Sequence, residues 1–198
     1  RNLWALSRLW KEVQAIIEDT QVRCRLTSLF TSFAVRVSKK AEFRFSGGSG
    51  NVANLYIPAI QREANVLYAA SRKFRDVLKS AASITNSVVD VQTGSATQLS
   101  DISNASIDYI FTDPPFGSNI FYADCNLIWE SWLGQFTDQS QEAVVHVKHK
   151  DKNTLPDYAR LMSESFAEMY RVLKPGRWAS VVFHNSDDRI WQVILEAA

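Results

Sequence analysis

Asp113-Pro114-Pro115-Phe116-Gly117 stands directly after the β-branched and aromatic run Ile107-Asp108-Tyr109-Ile110-Phe111-Thr112. Such a run reads as a strand, and in open α/β sheets ligands bind outside the carboxyl ends of the strands. The five residues combine an acid, two rigid backbone positions and a flat ring. That combination suits an exocyclic amino group on a nucleobase, whose lone pair is delocalised into the heterocycle and which is therefore a poor nucleophile. To alkylate it, a site must accept both amino hydrogens and hold the nitrogen in line with the incoming carbon. The Asp113 carboxylate can accept one hydrogen and the main-chain carbonyl of Pro114 the other. Each proline ring locks its own φ, and Pro115 restricts Pro114 as well, so the direction of that carbonyl is set. Phe116 offers a face for a base drawn out of its helical stack. In-line transfer of this kind needs positioning and electrostatic complementarity rather than a covalent intermediate. No Ser-His pair, catalytic Cys or metal cluster is called for.

The elements that hold this loop follow from periodicity. Apolar residues recur at helical spacing over residues 3–17, with Leu3, Leu6, Leu9, Trp10, Val13, Ile16 and Ile17, which predicts an amphipathic helix. Residues 20–40 read as a second helix followed by an extended stretch, and residues 61–82 as a long helix. Residues 88–92 are β-branched and bounded by Asn86 and Gly94, so a strand is expected there, with further strands at 107–112 and 178–183. Helices are predicted over 119–133, over 157–173 with Lys174-Pro175-Gly176 as the stop signal, and over 187–198. Strands alternating with helices give an α/β class with a mostly parallel sheet flanked by helices and a helical amino-terminal part.

Composition narrows the function classes. The 198 residues are 46% hydrophobic and 22% charged, enough for one core of good size. Two cysteines far apart, Cys24 and Cys125, suggest neither a disulfide framework nor a zinc site, and a reducing cytoplasm fits. No apolar run reaches the length of a membrane span. The net charge of +1 conceals an asymmetry: residues 1–79 hold 14 Lys and Arg against 6 Asp and Glu, and residues 80–198 hold 8 against 15. A basic part beside an acidic part fits a phosphate-gripping region next to a catalytic one, and equally fits solvated helix faces. The division expected is a basic helical region with a glycine-rich loop at 1–82 and a catalytic part at 83–198. The chain opens on Arg1 and its final predicted helix is still running at Ala198, so it reads as a piece of a longer polypeptide.

The tract from Phe111-Thr112-Asp113-Pro114-Pro115-Phe116-Gly117 through Asn119, Tyr122, Asp124, Asn126, Trp129, Glu130, Trp132 and Leu133 resembles the amino-group DNA methyltransferases, in particular the large prokaryotic adenine-specific DNA methylases. Arg171-Val172-Leu173-Lys174-Pro175-Gly176 and Val182-Phe183-His184-Asn185-Ser186-Asp187 continue the resemblance, which covers about half the chain; Ser38-Lys39-Lys40 and Leu55-Tyr56-Ile57-Pro58 are looser matches. The resemblance implies a partial Rossmann-like methyltransferase fold and S-adenosylmethionine as methyl donor. It implies DNA as substrate, in a restriction-modification or defence setting, and Asp113, Pro114, Pro115 and Phe116 as the catalytic clamp. Gly117, Asn119 and Tyr122 would line the target pocket, and Gly94-Ser95-Ala96 would approach the adenine of the cofactor.

The pattern departs from that family in one respect. A complete enzyme would carry a Phe-x-Gly-x-Gly loop after its first strand and an acid after its second. The glycine cluster Phe45-Ser46-Gly47-Gly48-Ser49-Gly50 follows Glu42 and Arg44 rather than an apolar strand, and reads better as a surface loop or a DNA-facing insertion. The cofactor loop is expected upstream of Arg1. Trp129 and Trp132, three apart, are read as core more readily than as DNA contacts. His146 and His149 among Lys148, Lys150 and Lys152 read as a basic loop without a metal. His184 ends a predicted strand on the active edge, where a substrate contact and a structural role remain equally open. Three functions stay in play: methylation of adenine N6 in DNA, the same chemistry on cytosine N4 in DNA or guanine N2 in RNA, and an inactive nucleic-acid-binding fragment.

Overall fold

A computed structural model describes residues 1–45, 57–81, 88–118, 120–146 and 153–198. The predicted glycine-rich loop, Asn119 and His149 lie outside the described residues. The chain divides into two compact units, one of Arg1–Val89 with Ala123–Thr137 and the other of Asp90–Tyr122 with Asp138–Ala198.

The first unit is helical. It contains α1 (Asn2–Gln14), α2 (Thr20–Ala34), α3 (Val66–Ala81) and nearly all of α4 (Tyr122–Leu133). Asp19 starts α2 by accepting from the Val22 amide at 2.9 Å, and Asn65 does the same for Tyr68 at 3.0 Å. That second cap is why the predicted helix over 61–82 begins only at Val66. Leu6, Phe30, Phe33, Ala34, Val37 and Val66 form the core. Phe30 is its centre, with ring centroids 4.9 Å from Trp10 and 5.0 Å from Trp132, the latter edge-on. Trp129 donates from its indole nitrogen to the Thr31 carbonyl at 3.0 Å. Both tryptophans are thus engaged within this unit, Trp132 in its core. The extended stretch expected after α2 is instead a turn of 3-10 helix, Val35–Val37. It buries both valines, and the Ser38 hydroxyl and amide bond back to the Val35 carbonyl at 2.7 and 3.2 Å. Burial of the two valines outweighs their β-propensity.

The second unit is mixed α/β: β1 (Ile107–Thr112), α5 (Leu155–Val172), β2 (Leu173–Val181) and α6 (Asp188–Ala197). The strands pair in parallel, so the carboxyl end of β1 lies beside that of β2. A capping box between Thr154 and Asp157, with a proline in the first turn, starts α5. Tyr158, Met162, Ile190 and Ile194 interlock α5 with α6. β2 begins at Leu173, earlier than predicted, because Leu173 already pairs with Ile107. The stop signal is then looped out: β1 advances from Ile107 to Tyr109 while β2 advances from Leu173 to Trp178. In that bulge Gly176 takes φ +73°, and Lys174 and Arg177 both reach the Asp108 carboxylate, at 2.8 and 3.3 Å.

Residues 88–92 are not a strand. Val88, Val89 and Val91 stand almost fully in solvent, and no described residue pairs with them. β-propensity without a neighbouring edge forms no strand. Among the described residues the parallel sheet therefore has two strands, and no helix is long and apolar enough to cross a membrane.

Arg171 ties the segment before β1 to α5. Its guanidinium donates to the carbonyls of Leu99 and Ile102, to Asn104 and to Glu168, all between 2.7 and 2.9 Å, while Glu168 also accepts from the Leu99 amide. The hydrogen bonds from Arg171, then the Leu99 amide, hold the Glu168 carboxyl down at about 2. A depressed folded-state value stabilises the protein above the ordinary range near 4.5, and that contribution is lost as pH falls toward about 2. In a melting series, Glu168→Gln is expected to lie below the wild type at neutral pH and to converge on it between pH 4.5 and 2. A gap independent of pH would contradict the assignment.

Candidate active site

The loop Asp113 to Gly117 leaves β1 at the edge where both strands end. The Thr112 carbonyl still accepts from the Val182 amide at 2.9 Å, so the ladder persists up to the first loop residue. Beyond it the backbone is held from two sides. The Tyr158 hydroxyl donates to the Pro115 carbonyl at 2.7 Å, and the Asn185 amide donates to the Phe116 carbonyl. Tyr158 is fully buried. Burial, then the neighbouring Tyr122, pushes its hydroxyl up to about 12, so at neutral pH it remains a donor. Asn185 is buried too, and its own orientation is set by the Asp187 amide, 2.7 Å from its side-chain oxygen, while its carbonyl accepts from the Trp191 indole at 2.8 Å. Both donors sit in the α5–α6 layer or lead into it, so helix packing is transmitted directly to loop position.

Gly117 closes the loop. It adopts φ +74°, bridges in parallel to Val144, and accepts from the Val145 amide. A Cβ placed there would lie 3.0 and 3.1 Å from two carbons of Ile190. Two costs, a left-handed backbone and a crowded buried isoleucine, oppose any side chain. Gly117→Ala is expected to lose on the order of 1–3 kcal/mol of stability, read as a lower urea midpoint with an unchanged slope.

With the Pro115 and Phe116 carbonyls engaged, the Asp113 side chain is the part of the loop that stands in solvent. Asp113 is exposed and Pro114 is buried beneath it, and no described residue donates to the Asp113 carboxylate or to the Pro114 carbonyl. The Phe116 ring is half-buried and meets Phe183 edge-on at 5.5 Å, and Phe183 in turn meets Trp191 edge-on at 5.0 Å. The aromatic row fixes one side of Phe116. Tyr122 begins α4, where its amide bonds the Glu142 carboxylate, and lies near enough to Tyr158 to influence it. The arrangement offers two acceptors, one anionic and one neutral, on a backbone that cannot easily turn them away. That set matches an NH2 group, which presents two hydrogens to accept.

The other predicted positions are less closely gathered. Gly94, Ser95 and Ala96 form an exposed turn in which the Ser95 hydroxyl bonds Thr97 at 2.8 Å and the Gln98 amide bonds the Ser95 carbonyl at 3.1 Å. A Cβ on Gly94 would meet nothing within 4 Å, so nothing there demands a glycine for close approach, and no described contact joins this turn to Asp113. His184 is exposed at the strand end. His146 stacks on Phe121, centroids 4.7 Å apart.

Two residues that hold the loop were given no role by the sequence. Tyr158 sits on the apolar stripe of α5, and the sequence signal was the general one that a buried tyrosine must find a partner for its hydroxyl. Asn185 lies in the stretch after β2, where a short amide side chain can reach neighbouring backbone. No protein-family model, curated protein or solved structure matches the chain.

Proposed function

We propose that this protein grips the exocyclic amino group of a base in DNA, adenine N6 first, for methyl transfer from S-adenosylmethionine, within a Rossmann-like methyltransferase domain of which the β1–β2 pair is a part. The observation that carries the reading is the division of labour in the loop. Two of its carbonyls are consumed by Tyr158 and Asn185, while the Asp113 carboxylate and the Pro114 carbonyl face no described donor. Asp113 accepts one amino hydrogen and Pro114 the other, drawing electron density toward the nitrogen and localising its lone pair there rather than in the ring. Phe116 supports the base from the side opposite its contact with Phe183. The part of Asp113, Pro114 and Phe116 in the reaction is to hold the acceptor.

The test uses the whole chain with tritiated S-adenosylmethionine and duplex DNA, followed by mass spectrometry of the nucleosides. Label appearing as N6-methyladenine and lost in Asp113→Ala supports the reading. Label on cytosine N4, or on guanine N2 of RNA, moves the same clamp to another base. The open Gly94 turn favours a second reading, a nucleic-acid-binding module without a donor site. Under it, calorimetry shows no heat with S-adenosylmethionine and Asp113→Ala changes nothing.

A further inference from the structure

The helical unit contains a cleft of about 120 Å³ between the end of α2 and the first turns of α3. Arg36, Arg62, Arg72 and Lys73 all line it, with Tyr68 on the wall and Asp76 as the single acid. Arg36, Arg62 and Arg72 are exposed and Lys73 is half-buried, and none of the four forms an ion pair with a described residue. By contrast, Arg1, Arg8 and Arg44 in the same unit each hold a glutamate within 3 Å. The first turn of α3, whose cap residue Asn65 also lines the cleft, carries no acid to offset the helix dipole. Four like charges held in one concavity repel one another, and low-dielectric walls focus their field outward. Such an arrangement is stabilised when an anion enters.

We infer that this cleft, walled by Arg36, Arg62, Arg72 and Lys73, is a seat for the phosphodiester backbone of a nucleic acid. Three of the four cations are guanidiniums, whose planar forks match phosphate oxygens bidentately. Backbone phosphates position a duplex without reading its sequence, and base-edge contacts lie elsewhere. The choice of a polynucleotide over another polyanion rests on the function proposed above.

Binding of a fluorescein-labelled 30-base-pair duplex to the 198-residue chain, followed by anisotropy across a KCl series, tests the cleft. Arg36→Gln with Arg62→Gln, and Arg72→Gln with Lys73→Gln, are each expected to weaken affinity by about tenfold per charge near 0.1 M salt. Each is also expected to flatten the slope of log K against log salt by about 0.9 per lost phosphate contact. Lys11→Gln with Arg25→Gln, exposed charges outside the cleft, is expected to change neither. A measurement needing no variant runs beside it: the duplex should protect Lys73, and not Lys11, from acetylation. The inference is overturned if cleft variants bind like the wild type, if the control pair costs as much, if Lys73 is labelled equally with and without duplex, or if phosphatidylserine vesicles bind and the duplex does not. The assay requires neither methyl donor nor Asp113. Cleft-independent binding alongside Asp113-dependent methylation removes the cleft alone, whereas cleft-dependent binding without methyl transfer removes the methyltransfer reading alone.

Discussion

Asp113→Asn is expected to reduce methyl transfer by about 10²–10³-fold, the size of effect produced by removing one preorganised electrostatic contact from a reacting group. The amide has nearly the same shape as the carboxylate but lacks its charge, and one of its two ends is a donor aimed at another donor. A base amine that loses an anionic acceptor keeps its lone pair in the ring and is a weaker nucleophile. Because the Asp113 side chain is exposed and no described residue donates to it, the melting temperature is expected to remain that of the wild type. The split between activity and stability is the informative part. Initial rates of tritium incorporation set beside a calorimetric melt measure both, and an Asp113→Asn protein that transfers methyl groups at the wild-type rate would end the clamp assignment.

The largest stability effect is expected at Tyr158. Its side chain is fully buried between α5 and α6, so Tyr158→Ala removes a large aromatic ring from the core at about 3–5 kcal/mol. That is a substantial share of the stability of an ordinary domain. Tyr158→Phe keeps the packing and deletes only the hydroxyl, leaving the Pro115 carbonyl without its donor at about 1–3 kcal/mol. The Phe variant also loosens the clamp, so its methyl transfer should fall while Asp113 remains in place. A pH series separates the hydroxyl from the ring. The folded-state value is raised to about 12 against an ordinary 10, so the wild type is stabilised below pH 10 and loses that contribution as pH rises toward 12. The Phe variant should lack that alkaline decline, and equal declines in both proteins would mean another group is titrating.

How much of this was legible beforehand depends on whether an element is specified by neighbours in sequence or by neighbours in space. α1, α2, α5 and α6 follow from apolar periodicity and local caps, and β1 from its β-branched and aromatic run. Residues 88–92 have the same strand composition as β1, yet they form none, since a strand exists only where another edge accepts its hydrogen bonds. Val35 and Val37 favour extension by type, but the core of the first unit takes them in a tight turn. The Lys174-Pro175-Gly176 signal ends α5 as expected and then becomes a bulge within β2, which depends on Asp108 lying across the ladder.

The sequence alone determined that an acid, two prolines and an aromatic ring would follow a strand, and that the first eighty residues would be helical and basic. Covalent order and proline geometry suffice for that, being local. Only the tertiary structure decided which loop carbonyls are occupied, because Tyr158 and Asn185 lie about forty and seventy residues away from their acceptors. It alone decided that Arg36, Arg62, Arg72 and Lys73 share one cleft, since helix packing and not sequence spacing brings charges from two segments together.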